Sequence, residues 1–576
     1  MERIAKKSWE ESKTTWRIAG PVILTAVLQC TVGFVTVAFA GHLGKLELAA
    51  VSIAQGVVEG FGYGILLLSP RLCIRDCTYL RCWRRRETNE GNLLGNAGLI
   101  LRAVFEVTMK RVVRKSWDES KQIWRIATPT ILTAVLQFAI GVITVAFVGH
   151  IGELELAAVS VVTNVVEGFA YGVLLGMGSA LETLCGQAVG AGQFQMLGIY
   201  MQRSWIICGV TALVLTPVYV FTSPMLKLLH QSEDISDVAG KYTRWAIPQL
   251  FAYAMNFPLQ KFYQSQTKVW VMTAIAGVVL AIHVLLNWVF VTKLGYGLFG
   301  AAMVGNVSWW LINLAQFVYL VSGFFPEAWT GFSLAAFKNL AAFVKLSLAS
   351  AIMLCLELWY YTAVIIMVGL LENPETQVGA ISICMNYQLW ALMVALGFNA
   401  AVSVRVSNEL GANHPKAAKF SVIIAVSTSA FIGLIFMIIV LVERKQLPKF
   451  FTDVPELIRE TSKLGYLLGA TIFLNSVQPV LSGVAIGAGW QSLVAFINIG
   501  CYYFVGLPLG AIFGFKLKLN ALGIWVGMLV GTLLQTVILV VITFRTKWQK
   551  EAMLAEERIR VWGGQVEIQP NPGTGK

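Results

Sequence analysis

The sequence predicts an all-α polytopic membrane protein: twelve membrane-crossing helices in two lobes of six, preceded by about two further helices from a truncated duplicate. Three observations carry this. The first is composition: of 576 residues, 57% are hydrophobic and only 13% charged, with a mean hydropathy of +0.69, whereas soluble proteins carry about 25% charged residues. The second is the recurrence of uncharged runs, at 126–152, 204–226, 269–292, 377–404, 420–442 and 519–544. Each is long enough for the roughly 20 helical residues that cross a hydrocarbon core. The third is internal repetition at two scales. Because a spanning segment must satisfy its own backbone in lipid, helices are the expected element.

In chain order, residues 1–108 read as a partial duplicate of the first two helices. Residues 7–67 match 115–175 at a constant offset of 108, as in "AGHLGKLELAAVS" (40–52) against "VGHIGELELAAVS" (148–160). After Leu67 the likeness ends in "LSPRLCIRDCTYLRCWRRRE" (68–87). Read one base out of frame, Arg71 to Asp76 can spell the Gly-Ser-Ala-Leu-Glu-Thr found at 178–183. Residues from 68 to about 108 are therefore expected to be a frameshifted or mis-spliced remnant, with Met109 as an alternative start.

The N-terminal lobe, 109–323, is predicted to hold helices near 122–149, 155–186, 196–222, 238–262, 267–293 and 298–323. A link follows at 324–340. The C-terminal lobe, 341–550, is predicted to hold helices near 341–371, 377–405, 417–442, 457–486, 490–514 and 520–545. The cytosolic tail, 551–576, starts as a charged helix and ends in "QPNPGTGK", a composition that does not build a core. A second, fainter repeat joins the lobes. "GMGSALETLCGQAVGAGQ" (176–193) lies over "GFNAAVSVRVSNELGANH" (397–414) at an offset of 221, which holds six spans. An even number gives both lobes the same orientation, a parallel repeat of the kind transporters build around a central site.

The net charge of +13 does not point to nucleic acid, because the basic residues sit beside apolar runs, as in "KRVVRK" (110–115), "HPKAAK" (414–419) and "RTKWQK" (545–550). That is a positive-inside pattern with both tails cytosolic; "ERKQLPK" (443–449) runs against it. The nine cysteines form no CxxC pair and imply neither disulfides nor a zinc site. Met1 is followed by a charged segment, so no cleavable signal peptide is expected. No P-loop, HExxH or GxSxG in context is present, so no enzyme, metal or cofactor is expected.

"GSALETLCGQAVGAGQ" (178–193), "YMQRSW" (200–205), "VSVRVSNELGANHPKAAKFS" (402–421), "VQPVLSGVAIGAGWQ" (477–491) and "INIGCYYFVGLPLG" (497–510) resemble plant multidrug and toxic compound extrusion (MATE) transporters. The resemblance runs from about Lys115 to Trp548. It implies a two-lobe, twelve-helix, monomeric antiporter. Such a protein exchanges small organic solutes for protons by alternating access, with lipid as its other partner and no cofactor. Within the plant branch the pattern is most similar to exporters of flavonoids and other secondary metabolites at the vacuolar membrane, in preference to the plasma membrane. Exporters of organic acids or hormones are the alternative substrate reading. A non-transporting scaffold or remnant is the alternative of a different class.

Antiport needs a group that holds either a proton or the substrate. A carboxyl within the membrane suits this, since burial disfavours its charged form and such residues usually have a function. Glu357, in "LCLELWYY", is the first candidate; it matches the carboxylate that the resemblance assigns to proton coupling. The plainer account is a glutamate satisfied by a neighbouring helix. Asn475 stands where many relatives carry a second carboxylate; it can hydrogen-bond Glu357 or substrate, or be a satisfied amide near the Pro479 break. Glu167, in "VVEGFAYG", matches no family residue and is either a cavity-facing cation site or a snorkelling acid. Glu182, Gln187, Arg405, Asn408 and Glu409 belong to the family signature. Glu182 is read as structural because helix-end acids are cheaply solvated. Gln187 and Asn408 are read as staples of equivalent turns, and Arg405–Glu409 as an i,i+4 pair at a cytosolic helix end. His283 is a proton-relay candidate whose simpler account is a hydrogen-bonded core histidine. Trp359, Tyr360, Tyr387, Trp390 and Phe398 are stacking candidates for an aromatic substrate, or ordinary packing. Pro129 offers the first helix a bend.

Overall fold

The structure, a computed structural model, describes residues 93–563 except 229–230, 339, 372–373 and 453, with side chains from residue 113 to 561 apart from those of 164 and 374–376. The duplicate at 7–67 and its frameshift-like continuation to 92 lie outside the described residues.

The described chain is helical without strands. The N-terminal lobe consists of α1 (Leu93–Val148), α2 (Glu153–Gly190), α3 (Gln195–Val220), the short α4 (Thr222–Leu228) and α5 (Glu233–Trp245), then α6 (Ile247–Ser265), α7 (Val269–Lys293) and α8 (Gly297–Val321). The C-terminal lobe consists of α9 (Leu340–Gly369), α10 (Pro374–Gly411), α11 (Pro415–Glu443), α12 (Pro455–Ala488), α13 (Gln491–Lys516) and α14 (Asn520–Arg545), followed by α15 (Trp548–Gly563). Helix α1 runs unbroken across residue 108 and through Pro129, where the Thr133 and Thr273 hydroxyls donate to the Pro129 carbonyl.

Among the described residues, 11 helices are long and apolar enough to span a membrane. The twelfth bundle helix, α6, is too polar to qualify. It carries Gln249, Asn256, Gln260, Lys261 and Gln264, all buried. Lipid does not touch them: Gln260 donates to Gln137 at 2.9 Å and to Asn256 at 2.5 Å, and Asn256 donates to Asn313 at 3.1 Å. A helix enclosed by protein need not be apolar; it needs its polar groups satisfied.

The turns repeat with the lobes. Gly192 (φ 72) closes α2–α3 and Asn413 (φ 57) closes α10–α11, at equivalent positions. Both adopt the left-handed conformation that Gly and Asn tolerate best. Gly489 (φ 81) ends α12 in the same way.

The lobes pack through α1, α2, α9 and α10, and small residues permit it. A Cβ on Gly176 would strike the Ala351 backbone of α9, and a Cβ on Gly397 would strike Ile131 of α1. Nearer the C-terminal ends of α2 and α10, Gly186 abuts Ser407, Gly190 abuts the Asn408 carbonyl, and Gly411 abuts the Gln187 carbonyl. These contacts are reciprocal, position for position, across the internal repeat. The tail helix α15 docks at the same end of the bundle. Ala552, Ala555 and Ile559 are buried, and Arg558 donates to the Ala488 carbonyl at 2.8 Å.

Candidate functional site

Glu357 lies seventeen residues along α9, about 26 Å from the helix start, and is half-buried. The polar residues around it come from three helices. Gln478 of α12 lies beside the Glu357 side chain and donates to Ser482 at 3.2 Å. One turn beyond Glu357, the Tyr361 hydroxyl meets Gln388 of α10 and accepts from Asn475 Nδ2 at 3.1 Å. Among the described residues no cation pairs with Glu357. The carboxyl is thus set among neutral amides and a phenol, and can gain or lose a proton without breaking an ion pair.

Asn475 joins this cluster, but its partner is Tyr361 rather than Glu357. It sits four residues before Pro479, whose missing N–H breaks the helix ladder. Polar neighbours support the break: Asn399 donates to the Pro479 carbonyl at 2.6 Å and Ser429 to the Ser476 carbonyl at 2.6 Å.

The structure separates the other candidates. Tyr360 is core, not cavity: it is fully buried, stacks on Tyr502 at 4.3 Å and donates to the Met528 carbonyl at 3.0 Å. Tyr387 is committed to the α11–α12 connection through the Leu447 carbonyl at 2.9 Å and an edge contact with Phe451. Phe398 is fully buried against Trp124 of the other lobe at 5.0 Å. Trp359 is exposed and stacks across the lobe boundary on Phe169 at 6.1 Å. Trp390 lines a cleft between the lobes with Val135, Phe138, Leu389 and Met393. His283 is a fully buried hydrogen-bond hub, with Ser308 at 2.8 Å on Nδ1 and Asn287 at 2.9 Å on Nε2. An Nε2 that accepts from the Asn287 amide leaves the neutral ring to donate through Nδ1. Glu167 lies on α2 in the N-terminal lobe and is 8% exposed.

The signature residues have more definite work than expected. Glu182 is not solvated at a helix end; it is fully buried and pairs with Lys261 of α6 at 2.6 Å. Gln187 donates to the Gly487 carbonyl at 3.3 Å, and the Asn408 amide, with its nitrogen turned toward the neighbouring acceptors, donates to the Gly186 carbonyl of α2 at 2.9 Å. Each crosses into the opposite lobe, so they staple the lobes rather than their own turns. The Arg405–Glu409 pair exists at 2.7 Å, but Arg405 also grips Glu119 of α1 through Nε at 2.8 Å and Nη2 at 3.1 Å. Ser421 donates to the same Glu119 carboxylate at 2.6 Å. This bidentate latch joins the lobes at the α2–α3 and α10–α11 end of the bundle. Sequence reasoning missed Glu119, Ser421 and Gln478; the last two lie inside the signature stretches 402–421 and 477–491, but nothing in those stretches tells which partner each would meet. Lys261 was traceable: a lysine in a buried helix requires an acid, and Glu182 was available.

Two equivalent lobes of spanning helices, with polar groups buried near mid-helix, define a repeat-built membrane transporter. The family model described as MatE matches residues 129–289 and 349–512. Protein DETOXIFICATION 33 of Arabidopsis thaliana is 54% identical over 464 residues, covering 80% of this chain and 96% of that protein. Protein DETOXIFICATION 29 of the same plant is 53% identical over 459 residues, covering 80% and 92%. Among solved structures, the eukaryotic MATE transporter AtDTX14 superposes with a TM-score of 0.73 at 31% identity, covering 77% of this chain and 100% of that one. The Vibrio cholerae MATE transporter VcmN in its bent form shares the fold, with a TM-score of 0.66 at 18% identity, 76% of this chain and 99% of that one. This chain belongs to the MATE family: it is an integral multi-pass membrane transporter and not an enzyme.

Proposed function

We propose that the protein is a secondary active antiporter that exports or sequesters organic solutes in exchange for protons by alternating access. Its solutes on this reading are flavonoids, other secondary metabolites or foreign compounds, and it works as a monomer in the vacuolar membrane. The observation that carries the proposal is Glu357: a carboxyl deep in a spanning helix, half-buried, near Gln478, Tyr361, Asn475 and Gln388, and paired with no cation among the described residues. Substrate binding and protonation compete at such a group, because either satisfies it and both together crowd it. The detoxification names of the plant relatives support the solute class.

The test is uptake of a fluorescent flavonol into proteoliposomes under an imposed pH gradient, with citrate as a second probe. Gradient-driven flavonol uptake is expected in the wild type and its loss in Glu357→Gln. Absence of uptake of either probe would refute the antiporter reading. Uptake of citrate alone would move the solute class to organic acids, and full gradient coupling in Glu357→Gln would move the proton elsewhere.

A further inference from the structure

The repeat that relates the lobes places Glu167 where it can be compared with the Glu357 site. Helices α2 and α10 match end to end at the offset of 221, and Gln388 of α10 is the equivalent of Glu167. Gln388 is the amide that reaches Tyr361 beside Glu357. The equivalent of Glu357 on α1 falls at Leu136, next to Gln137. The two lobes have therefore exchanged roles within one helix pair. In the C-terminal lobe the acid is on α9 and the amide on α10; in the N-terminal lobe the acid is on α2.

Glu167 is 8% exposed and lies about 21 Å along α2 from Glu153. Among the described residues no cation pairs with it, and its Oε1 has no hydrogen-bond partner. Buried phenols from three other elements lie near enough to sense its charge: Tyr219 of α3, Tyr242 of α5 and Tyr253 of α6. The Tyr219 hydroxyl is itself buried without a partner, whereas the Tyr253 hydroxyl accepts from Gln249 at 2.5 Å. From its own helix, Tyr171 packs edge-on to Tyr253 at 5.5 Å and to Phe257 at 4.9 Å. The helix departs from α geometry here, with a π segment at Val162–Glu167 that ends on the glutamate. Such segments concentrate at functional sites.

Two buried oxygens, one of them on a carboxyl, are left without hydrogen-bond partners in the same part of the lobe and call for a ligand. A metal would need more oxygen donors of higher charge; a proton needs no added volume. We propose that Glu167 is a second proton-binding site, held in the N-terminal lobe among buried tyrosines, so that each lobe carries one exchangeable proton. The proton is taken from water onto the carboxylate. The resulting O–H donates to a phenol oxygen, and the proton returns to water when the lobe opens. This rests on the proton-coupling reading of the family fold and extends it to the other lobe.

The test is infrared difference spectroscopy of the purified full chain during a pH titration, reading the carboxylic C=O stretch together with proton uptake per molecule. The wild type is expected to show two buried carboxyl bands. Glu167→Gln removes one and lowers proton uptake by one, whereas Glu357→Gln removes the other. Tyr219→Phe, which deletes a nearby hydroxyl, should shift the midpoint of the Glu167 band and leave the Glu357 band in place; a purely structural Glu167 predicts no shift. Unchanged bands in Glu167→Gln, or a Glu167 band that does not respond to pH, would overturn this proposal. Unchanged bands in Glu357→Gln would instead overturn the Glu357 assignment, so the two failures are distinguishable.

Discussion

At the scale of the residue, this bundle treats its buried charges in two ways. Glu182 is matched by Lys261 at 2.6 Å with both side chains nearly inaccessible, whereas Glu357 and Glu167 pair with no cation among the described residues. A buried pair is tolerated only while both members are present, and removing one costs about 3–5 kcal/mol because the other is stranded. Glu182→Gln should therefore lower the unfolding free energy by about that much. The double variant Glu182→Leu, Lys261→Met should recover most of it, as read by thermal melting in detergent. Additive losses in the double variant would mean that the two residues are not coupled. His283 shows why residue type alone misleads: the same imidazole that could relay protons is held between Ser308 and Asn287, and only its neighbours reveal that.

At the scale of the element, glycine decides how closely α2 and α10 approach. Gly190 and Gly411 each face a carbonyl of the other helix with no room for a methyl group. Gly209 of α3 has nothing within 4 Å. Alanine at Gly190 or Gly411 should cost about 1–3 kcal/mol through overpacking, whereas Gly209→Ala should stabilise by about 0.5–1 kcal/mol through helix propensity. Melting temperatures of the three variants check this, and faster hydrogen exchange over 183–190 should accompany the destabilising pair. Equal behaviour at all three positions would show that the crossing is not tightly packed. Helix α6 makes the converse point: it falls in the stretch expected to be helical near 238–262 but is too polar to span lipid on composition, and its Asn256 and Gln260 find their partners inside the lobe.

At the scale of the molecule, the lobes are joined by reciprocal devices. Gln187 and Asn408 cross in opposite directions, and Arg405 grips Glu119 with two hydrogen bonds. The latch is nearly buried, with Arg405 and Glu119 side chains 13% and 10% exposed. It should therefore be stronger than the exposed Lys463–Glu460 pair; exposed pairs contribute about 0–1 kcal/mol. A double-mutant cycle on Arg405→Gln and Glu119→Gln is expected to give a coupling energy above about 1 kcal/mol. The same cycle on Lys463 and Glu460 should give less. Equal coupling in the two cycles would remove Arg405–Glu119 as a fastener of the lobes. This latch, the staples and α15 all lie on one face, so the alternating access proposed above would have to break them together.

Much of this was legible in the chain itself. Hydrophobic runs of sufficient length specify spanning helices because lipid leaves the backbone no other partner. The offset between Gly176 and Gly397 specifies two parallel lobes, and the reciprocal glycine contacts are the physical content of that repeat. Glu357 stood out because an acid in such a run is costly. What only the tertiary structure decided is which polar groups meet. Lys261 for Glu182, Glu119 for Arg405, Tyr361 for Asn475 and the phenols near Glu167 are all brought together from distant parts of the chain. Sequence records each residue's hydrogen-bonding capacity; the crossing of helices chooses the partner that satisfies it.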